Sequence, residues 1–224
     1  LMADGRDVRI DDSEGERDIA GDTALHRILD FGALCNIAEV QRREDGEKTV
    51  DVGDPMELAL LNVADRFGIR PDLDPDEKPE VAEHAFDPDR KMMATVHRVD
   101  DGYLTAVKGA PEAIIAHAEK LRSDDSIRNM TDADRKALMD RVEEKAREGY
   151  RLIGMASKQT ENRDGDPYEA LVLAGFVCLL DPLREDIPEA VAKCRGAGVR
   201  VVMMTGDHIA TASEIAVQAG LAED

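Results

Sequence analysis

The chain reads as an α/β (α+β) protein in which an antiparallel sheet flanked by helices gives way, toward the C-terminus, to a partial parallel α/β unit. Three observations predict this. Two runs rich in β-formers, residues 92–99 and 102–108, flank Asp100-Asp101 with Gly102 at the turn, the pattern of an antiparallel hairpin. Two more strand-like runs, 151–158 and 171–180, are separated by the acidic turn segment Asp164-Gly165-Asp166-Pro167, so they are expected side by side in the same sheet. After Asp181-Pro182 the pattern becomes helix, apolar strand, a Thr205-Gly206-Asp207 turn and helix, the alternation that builds parallel sheets. The change places a domain boundary between residues 1–178 and 179–224.

The elements follow in order. Asp11, Asp12, Glu14, Glu16 and Asp18 crowd the first twenty residues, which reads as a surface loop or frayed entry. Leu25, Ile28, Leu29 and Leu34 fall at helical spacing within residues 22–40. In Gly53-Asp54-Pro55-Met56-Glu57, Asp54 suits an N-cap, Pro55 the first helical position and Glu57 the third, as in a capping box. Met56, Ala59, Leu60, Val63, Ala64 and Phe67 continue that helix as one apolar stripe ending at Gly68. Pro111 opens a short helix expected to run through Lys120, and a polar loop leads to a longer helix over residues 131–148, stopped by Gly149. Beyond the boundary, a helix over 187–197, a buried strand over 199–204 and a last helix to Gly220 complete the reading.

Composition removes several function classes. The 224 residues are 42% hydrophobic, enough for one large or two modest domains. The longest apolar run, residues 170–180, is about half the ~20 residues of a membrane-spanning helix and reads as a buried strand. No basic-then-apolar leader opens the chain, and Cys35, Cys178 and Cys194 lack metal-ligand spacing, as expected of reduced cytosolic thiols. A net charge of -20 argues against nucleic-acid binding, which relies on clustered Lys and Arg. It also means that any nucleotide site needs a local island of positive charge.

The hairpin supplies a candidate island. If Val99 pairs with Gly102, Lys108 stands opposite Met93 and diagonal to Lys91, roughly 7–8 Å away on one face. Phe86, just upstream, then lies at the same end as a flat apolar plate for a nucleobase. Spacing alone leaves the alternative open that both lysines are solvated strand-end charges and Phe86 is core.

Five ordered motifs carry a family resemblance. Phe86-Asp87-Pro88-Asp89-Arg90-Lys91 and Lys108-Gly109-Ala110-Pro111-Glu112 resemble the F-x-x-x-R-K and K-G-A-P-E motifs of the nucleotide-binding domain of P-type ATPases. Gly53 to Glu57 is similar to that family's G-[DE]-x-x-E segment. Asp181-Pro182-Leu183-Arg184 and Thr205-Gly206-Asp207-His208 resemble the hinge and the T-G-D loop of its haloacid-dehalogenase-like phosphorylation domain. The first pairing resembles the calcium-pump-like cation branch more than heavy-metal pumps, which makes calcium the first expectation for the transported ion.

The resemblance implies that Phe86 stacks on adenine, Glu57 hydrogen-bonds near its amino group, and Lys91, Lys108 and Gly109 line the pocket toward ribose and phosphates. Arg151 matches a phosphate-contacting arginine, although as a residue it also reads as a strand-end surface charge. Pro88 stands where calcium-pump relatives often carry a basic residue. Thr205, Gly206 and Asp207 match the loop that holds the aspartyl phosphate, at a strand end preceding a helix where free N–H groups favour an anion; by themselves they also fit a plain turn with Asp207 as N-cap. Arg184 matches a hinge or phosphate contact, and Asp181 and Pro182 match hinge elements. The family's phosphorylated aspartate lies in D-K-T-G-T, a motif absent from these 224 residues, and its magnesium-binding segment is expected beyond Asp224. The chain is therefore expected to bind ATP without hydrolysing it. Magnesium is implied for the full-length protein. The implied partners are the remaining phosphorylation, actuator and transmembrane domains of a parent that places this part at the cytoplasmic face of a membrane. A monomer is expected, with dimerisation through an incomplete C-terminal sheet as the alternative. The rival readings are a free-standing phosphatase of the haloacid-dehalogenase type, which needs an aspartate nucleophile after an apolar strand, and a non-enzymatic acidic interaction module.

Overall fold

The computed structural model describes residues 2–3, 6–7, 10, 23–42, 48–71, 76–123, 126–179, 183–184, 186–205 and 209–222. The acidic cluster from Asp11 to Asp18 lies outside them. The chain divides into two compact units, Leu1–Met139 with Ile153–Val177, and Asp140–Leu152 with Cys178–Asp224.

The first unit is organised by one sheet, of which it holds all but the first two residues of β10 and the last two of β11. Its strands are β1 (Met2–Ala3), β2 (Arg6–Asp7), β5 (Glu80–Asp87), β6 (Met92–Val99), β7 (Gly102–Gly109), β8 (Ala118–Ser123), β9 (Ser126–Asn129), β10 (Arg151–Thr160) and β11 (Leu171–Leu179). They run in the order β2-β1-β11-β10-β7-β6-β5, with β8 paired to β11 and to β9. Two short strands, β3 (Glu39–Arg42) and β4 (Lys48–Val52), form a separate antiparallel pair.

The β6–β7 hairpin has the register expected from its two-residue turn, with Val99 opposite Gly102 and Met93 opposite Lys108. Gly102 is required there. Its φ is 117°, and a Cβ would stand 2.3 Å from the carbonyl oxygen of Thr160. Strands β10 and β11 are neighbours, as expected.

Helices α1 (Thr23–Leu34) and α2 (Pro55–Arg66) cover one face. Ile28, Leu29, Leu60, Met92 and Met155 are fully buried, and Gly32 brings α1 within van der Waals reach of Leu60 and Met155. The Thr95 hydroxyl donates to the Leu34 carbonyl at 3.1 Å, satisfying an end carbonyl that α1 cannot bond internally. Gly154, beside Met155 on β10, turns to the opposite face, where its absent side chain lets Ile114 of α3 (Pro111–His117) approach. Helix α4 (Asp132–Arg147) ends before Gly149, whose φ of 91° stops it as the sequence predicts.

Several expectations are corrected. The helix opened by Pro111 stops at His117 rather than Lys120, and the following polar loop is the hairpin β8–β9. The run Ala118-Glu119-Lys120-Leu121 consists of good helix formers, yet it pairs in parallel with β11 through Leu171–Ala118 and Leu173–Leu121. Tertiary pairing overrides propensity, and the sheet becomes mixed. Strands β1 to β5 also went unread, β1 and β2 within a stretch expected as a surface loop; β5 is an edge whose two register shifts interrupt alternation.

In the second unit, α5 (Ile187–Gly196) and α6 (Ile209–Gln218) form as expected, and Arg195 donates to the Leu221 carbonyl at 2.9 Å. Residues 199–204, expected as a buried strand, have no strand pairing. Val199, Val202 and Met204 are exposed, the last at 92%. An apolar run becomes a strand only where a neighbour supplies ladder partners, and none does so among the described residues.

Candidate nucleotide site

Helix α2 begins as its sequence dictates. Asp54 is the N-cap and its Oδ1 accepts from the Met56 N–H at 2.8 Å, with Pro55 at the first helical position. Glu57, expected to close a capping box back onto Asp54, instead turns its carboxylate to the Lys108 ammonium. Asn36 ties the backbone at Glu57 to the end of α1: its Nδ2 donates to the Glu57 carbonyl at 3.0 Å and to the Gly32 carbonyl at 3.3 Å. Its Oδ1 accepts from the Ala38 N–H at 2.9 Å. Sequence reading passed over Asn36. A polar residue just after a helix end was the available signal.

Lys108 sits on β7 with its side chain only 5% exposed, and the Glu57 side chain is 14% exposed. The position is opposite Met93, as expected, but its side chain is buried against Glu57 at the start of α2 rather than solvated at a strand end. Removing a long cation from water requires a partner, and Glu57 is that partner. The fully buried Cys35 lies close by, its thiol donating to the Met93 carbonyl at 3.7 Å. Burial pushes that thiol up to about 11, against the opposing pull of Lys108.

Lys91 departs from the expected geometry. It does not stand diagonal to Lys108 on one strand face, because β6 begins only at Met92. Lys91 occupies the preceding turn with φ 55°, and its N–H donates to the Asp87 carbonyl at 2.6 Å while its own carbonyl accepts from Ala110 at 3.0 Å. Its side chain is 57% exposed and reaches Glu112 Oε1 at 3.0 Å. An exposed pair of this kind contributes about 0–1 kcal/mol. Glu112 is held below the usual carboxylate range first by its own backbone N–H, then by Lys91.

Gly109 is what lets these segments meet. A Cβ there would lie 2.4 Å from the Lys91 carbonyl oxygen and 2.9 Å from the Met92 Cα. Phe86 projects from the end of β5 and is 58% exposed. The pairings Asp87–Met92, Met92–Gly109 and Met93–Lys108 put it at the same end of the sheet as both lysines. An exposed ring next to charge is a surface ready for a flat ligand.

In the turn that follows β5, Arg90 donates to both oxygens of Asp166 at 3.0 and 3.1 Å and lies 5.1 Å from the Tyr168 ring centroid. This fastens the segment before β11 to the turn that carries Lys91.

The remaining expected residues are described separately. Arg151, the first residue of β10, is exposed and falls in the second unit. Thr205 is described and exposed, whereas Gly206, Asp207 and Asp181 lie outside the described residues. Arg184 pairs with Asp186 at 2.9 Å on an exposed surface. Among the described residues no group of three or more His, Cys, Asp or Glu is placed to hold a metal ion, and no helix is long and apolar enough to cross a membrane.

This arrangement has relatives. The chain is 34% identical over 200 residues to "Calcium-transporting ATPase 1" of Bacillus cereus, which covers 88% of this chain and 22% of that protein. It is 35% identical over 205 residues to "Cation-transporting ATPase pma1" of Synechocystis, 89% of the chain and 22% of the relative. With "Calcium-transporting ATPase 1" of Yarrowia lipolytica it shares 35% over 203 residues, 88% and 21%. It thus spans about a fifth of the length of these curated relatives. The model of the family described as "P-type ATPase, cytoplasmic domain N" matches residues 24–186, and the chain belongs to that family.

Proposed function

We propose that this chain binds ATP on behalf of a P-type, cation-transporting ATPase, at the cytoplasmic face of a membrane. The observation that carries the reading is the placement of exposed Phe86 at the sheet end where Lys91, Gly109 and the Lys108–Glu57 pair converge. Phe86 offers a face on which adenine stacks. Glu57, its carboxylate held by Lys108 and its backbone by Asn36, accepts from the base's exocyclic amino group, and exposed Lys91 turns to the phosphates. The match of Arg151 to the family's phosphate-contacting arginine supports it as a further phosphate contact. The names of the relatives support cation transport, with calcium the first candidate.

In the full-length protein, the γ-phosphate passes to an aspartate in a D-K-T-G-T motif, with Thr205, Gly206 and Asp207 binding the phosphoryl group and Asp181 and Arg184 at the hinge. Magnesium belongs to that whole assembly. The nucleotide-binding part is taken to end near residue 178, with residues 179–224 forming part of the phosphorylation domain. The 224 residues contain no D-K-T-G-T nucleophile, so this chain binds ATP without turnover. Calorimetry with ATP and a phosphate-release assay on one sample test the reading. Saturable binding with release at background is expected, and steady ATP hydrolysis or no binding contradicts it.

A further inference from the structure

Both lysines at the proposed pocket are already engaged by carboxylates, but the two pairs differ in kind. Lys108–Glu57 is almost closed to solvent and cannot open without stranding a charge. Lys91–Glu112 is open to water on both sides, so its separation is easy. Glu112 has a second source of stabilisation. It follows Pro111 in the first turn of α3, the end of a helix that favours a carboxylate. It can therefore stay seated when Lys91 leaves. Lys91, by contrast, has its backbone pinned by Asp87 and Ala110, so only its side chain moves.

From this geometry we infer that Glu112 is a specificity-determining residue: it occupies Lys91 until a phosphate chain anchored by its base displaces it. The inference rests on the ATP-binding reading and deepens it. A small free anion has only charge to offer, and it meets a lysine whose charge is cancelled, beside a fixed carboxylate, on a protein of net charge -20. A nucleotide first gains the Phe86 stack, and its phosphates then compete locally for Lys91 at high effective concentration. Glu112 thus lowers affinity for every phosphate ligand but lowers it to nothing useful only for those without a base. The residue tunes selection and does not hold the ligand.

The test uses the whole chain and its Glu112→Gln, Lys91→Gln and double variants, with ATP, adenosine and inorganic tripolyphosphate as probes in magnesium-free buffer. Binding is read by calorimetry and by amide shifts at Gly109 and Ala110, after thermal melts establish that each variant is folded. Glu112→Gln is expected to bind ATP about three- to tenfold more tightly, as removal of one carboxylate near the phosphates implies. Adenosine affinity stays unchanged, and tripolyphosphate becomes a detectable ligand at the same amides. The ATP gain vanishes in the double variant, because without Lys91 there is nothing to release. Weaker or unchanged ATP binding in Glu112→Gln, with normal wild-type binding, overturns this inference alone. Failure of the wild-type chain to bind either ATP or adenosine overturns the underlying reading and this inference with it.

Discussion

Lys108 and Glu57, 51 residues apart in sequence, meet as an ion pair almost closed to solvent beneath the first turn of α2. The pair joins the hairpin to the helix that frames the proposed pocket, so it has a structural duty independent of any ligand. Glu57→Gln leaves a buried ammonium without its counter-charge and is expected to destabilise the fold by about 3 kcal/mol. The double change Glu57→Gln with Lys108→Met should recover most of that loss. Urea denaturation of the three chains checks this, and a single-variant cost under about 1 kcal/mol would mean the pair is effectively solvated.

Gly109→Ala tests the close approach of the Lys91 turn. The added Cβ meets backbone atoms of Lys91 and Met92, neither of which is the end of a flexible side chain. A loss of about 1–3 kcal/mol is expected from forced overpacking, together with altered Lys91 amide shifts. Gly196→Ala, with open space around its added Cβ, serves as a control for added bulk and should cost under about 1 kcal/mol.

The Cys35 thiol gives a pH-dependent signature. Burial raises it from the ordinary 9.0 to about 11, so the folded state resists ionisation that the unfolded state accepts. The stability from this group is fully present below about pH 9 and is lost as pH rises through about 11. Cys35→Ala should flatten the alkaline decline in urea midpoint over that window. In the native protein a thiol reagent should label the half-buried Cys178 and Cys194 and spare Cys35 until unfolding. Rapid native labelling of Cys35 would contradict its burial.

The parts of this fold legible in the sequence are those where a local signal and the tertiary result agree. The β6–β7 register follows from a two-residue turn at Asp100-Asp101, and the start of α2 from Asp54-Pro55. Where tertiary partners decide, the sequence misleads. Ala118 to Ser123 has helix-forming residues and becomes a strand because β11 needs a neighbour, while the apolar residues 199–204, lacking one, remain unpaired and exposed. At the candidate site, Phe86, Lys91 and Lys108 were legible as a group at one sheet end. Their electrostatic state was not, because Glu57 and Glu112 come from other elements, and no spacing rule announces that each lysine arrives already paired.

The most direct test of nucleotide binding is a comparison of ATP and AMP affinities between the wild-type chain and Phe86→Ala, by calorimetry with matched thermal melts. Phe86 is 58% exposed, so its truncation should leave the melt nearly unchanged. Both nucleotides should lose the same increment, about 1–3 kcal/mol, because the stack involves the base they share. Unchanged affinity for both in the folded variant, or a loss confined to ATP, would contradict the assignment of this ring as the adenine platform.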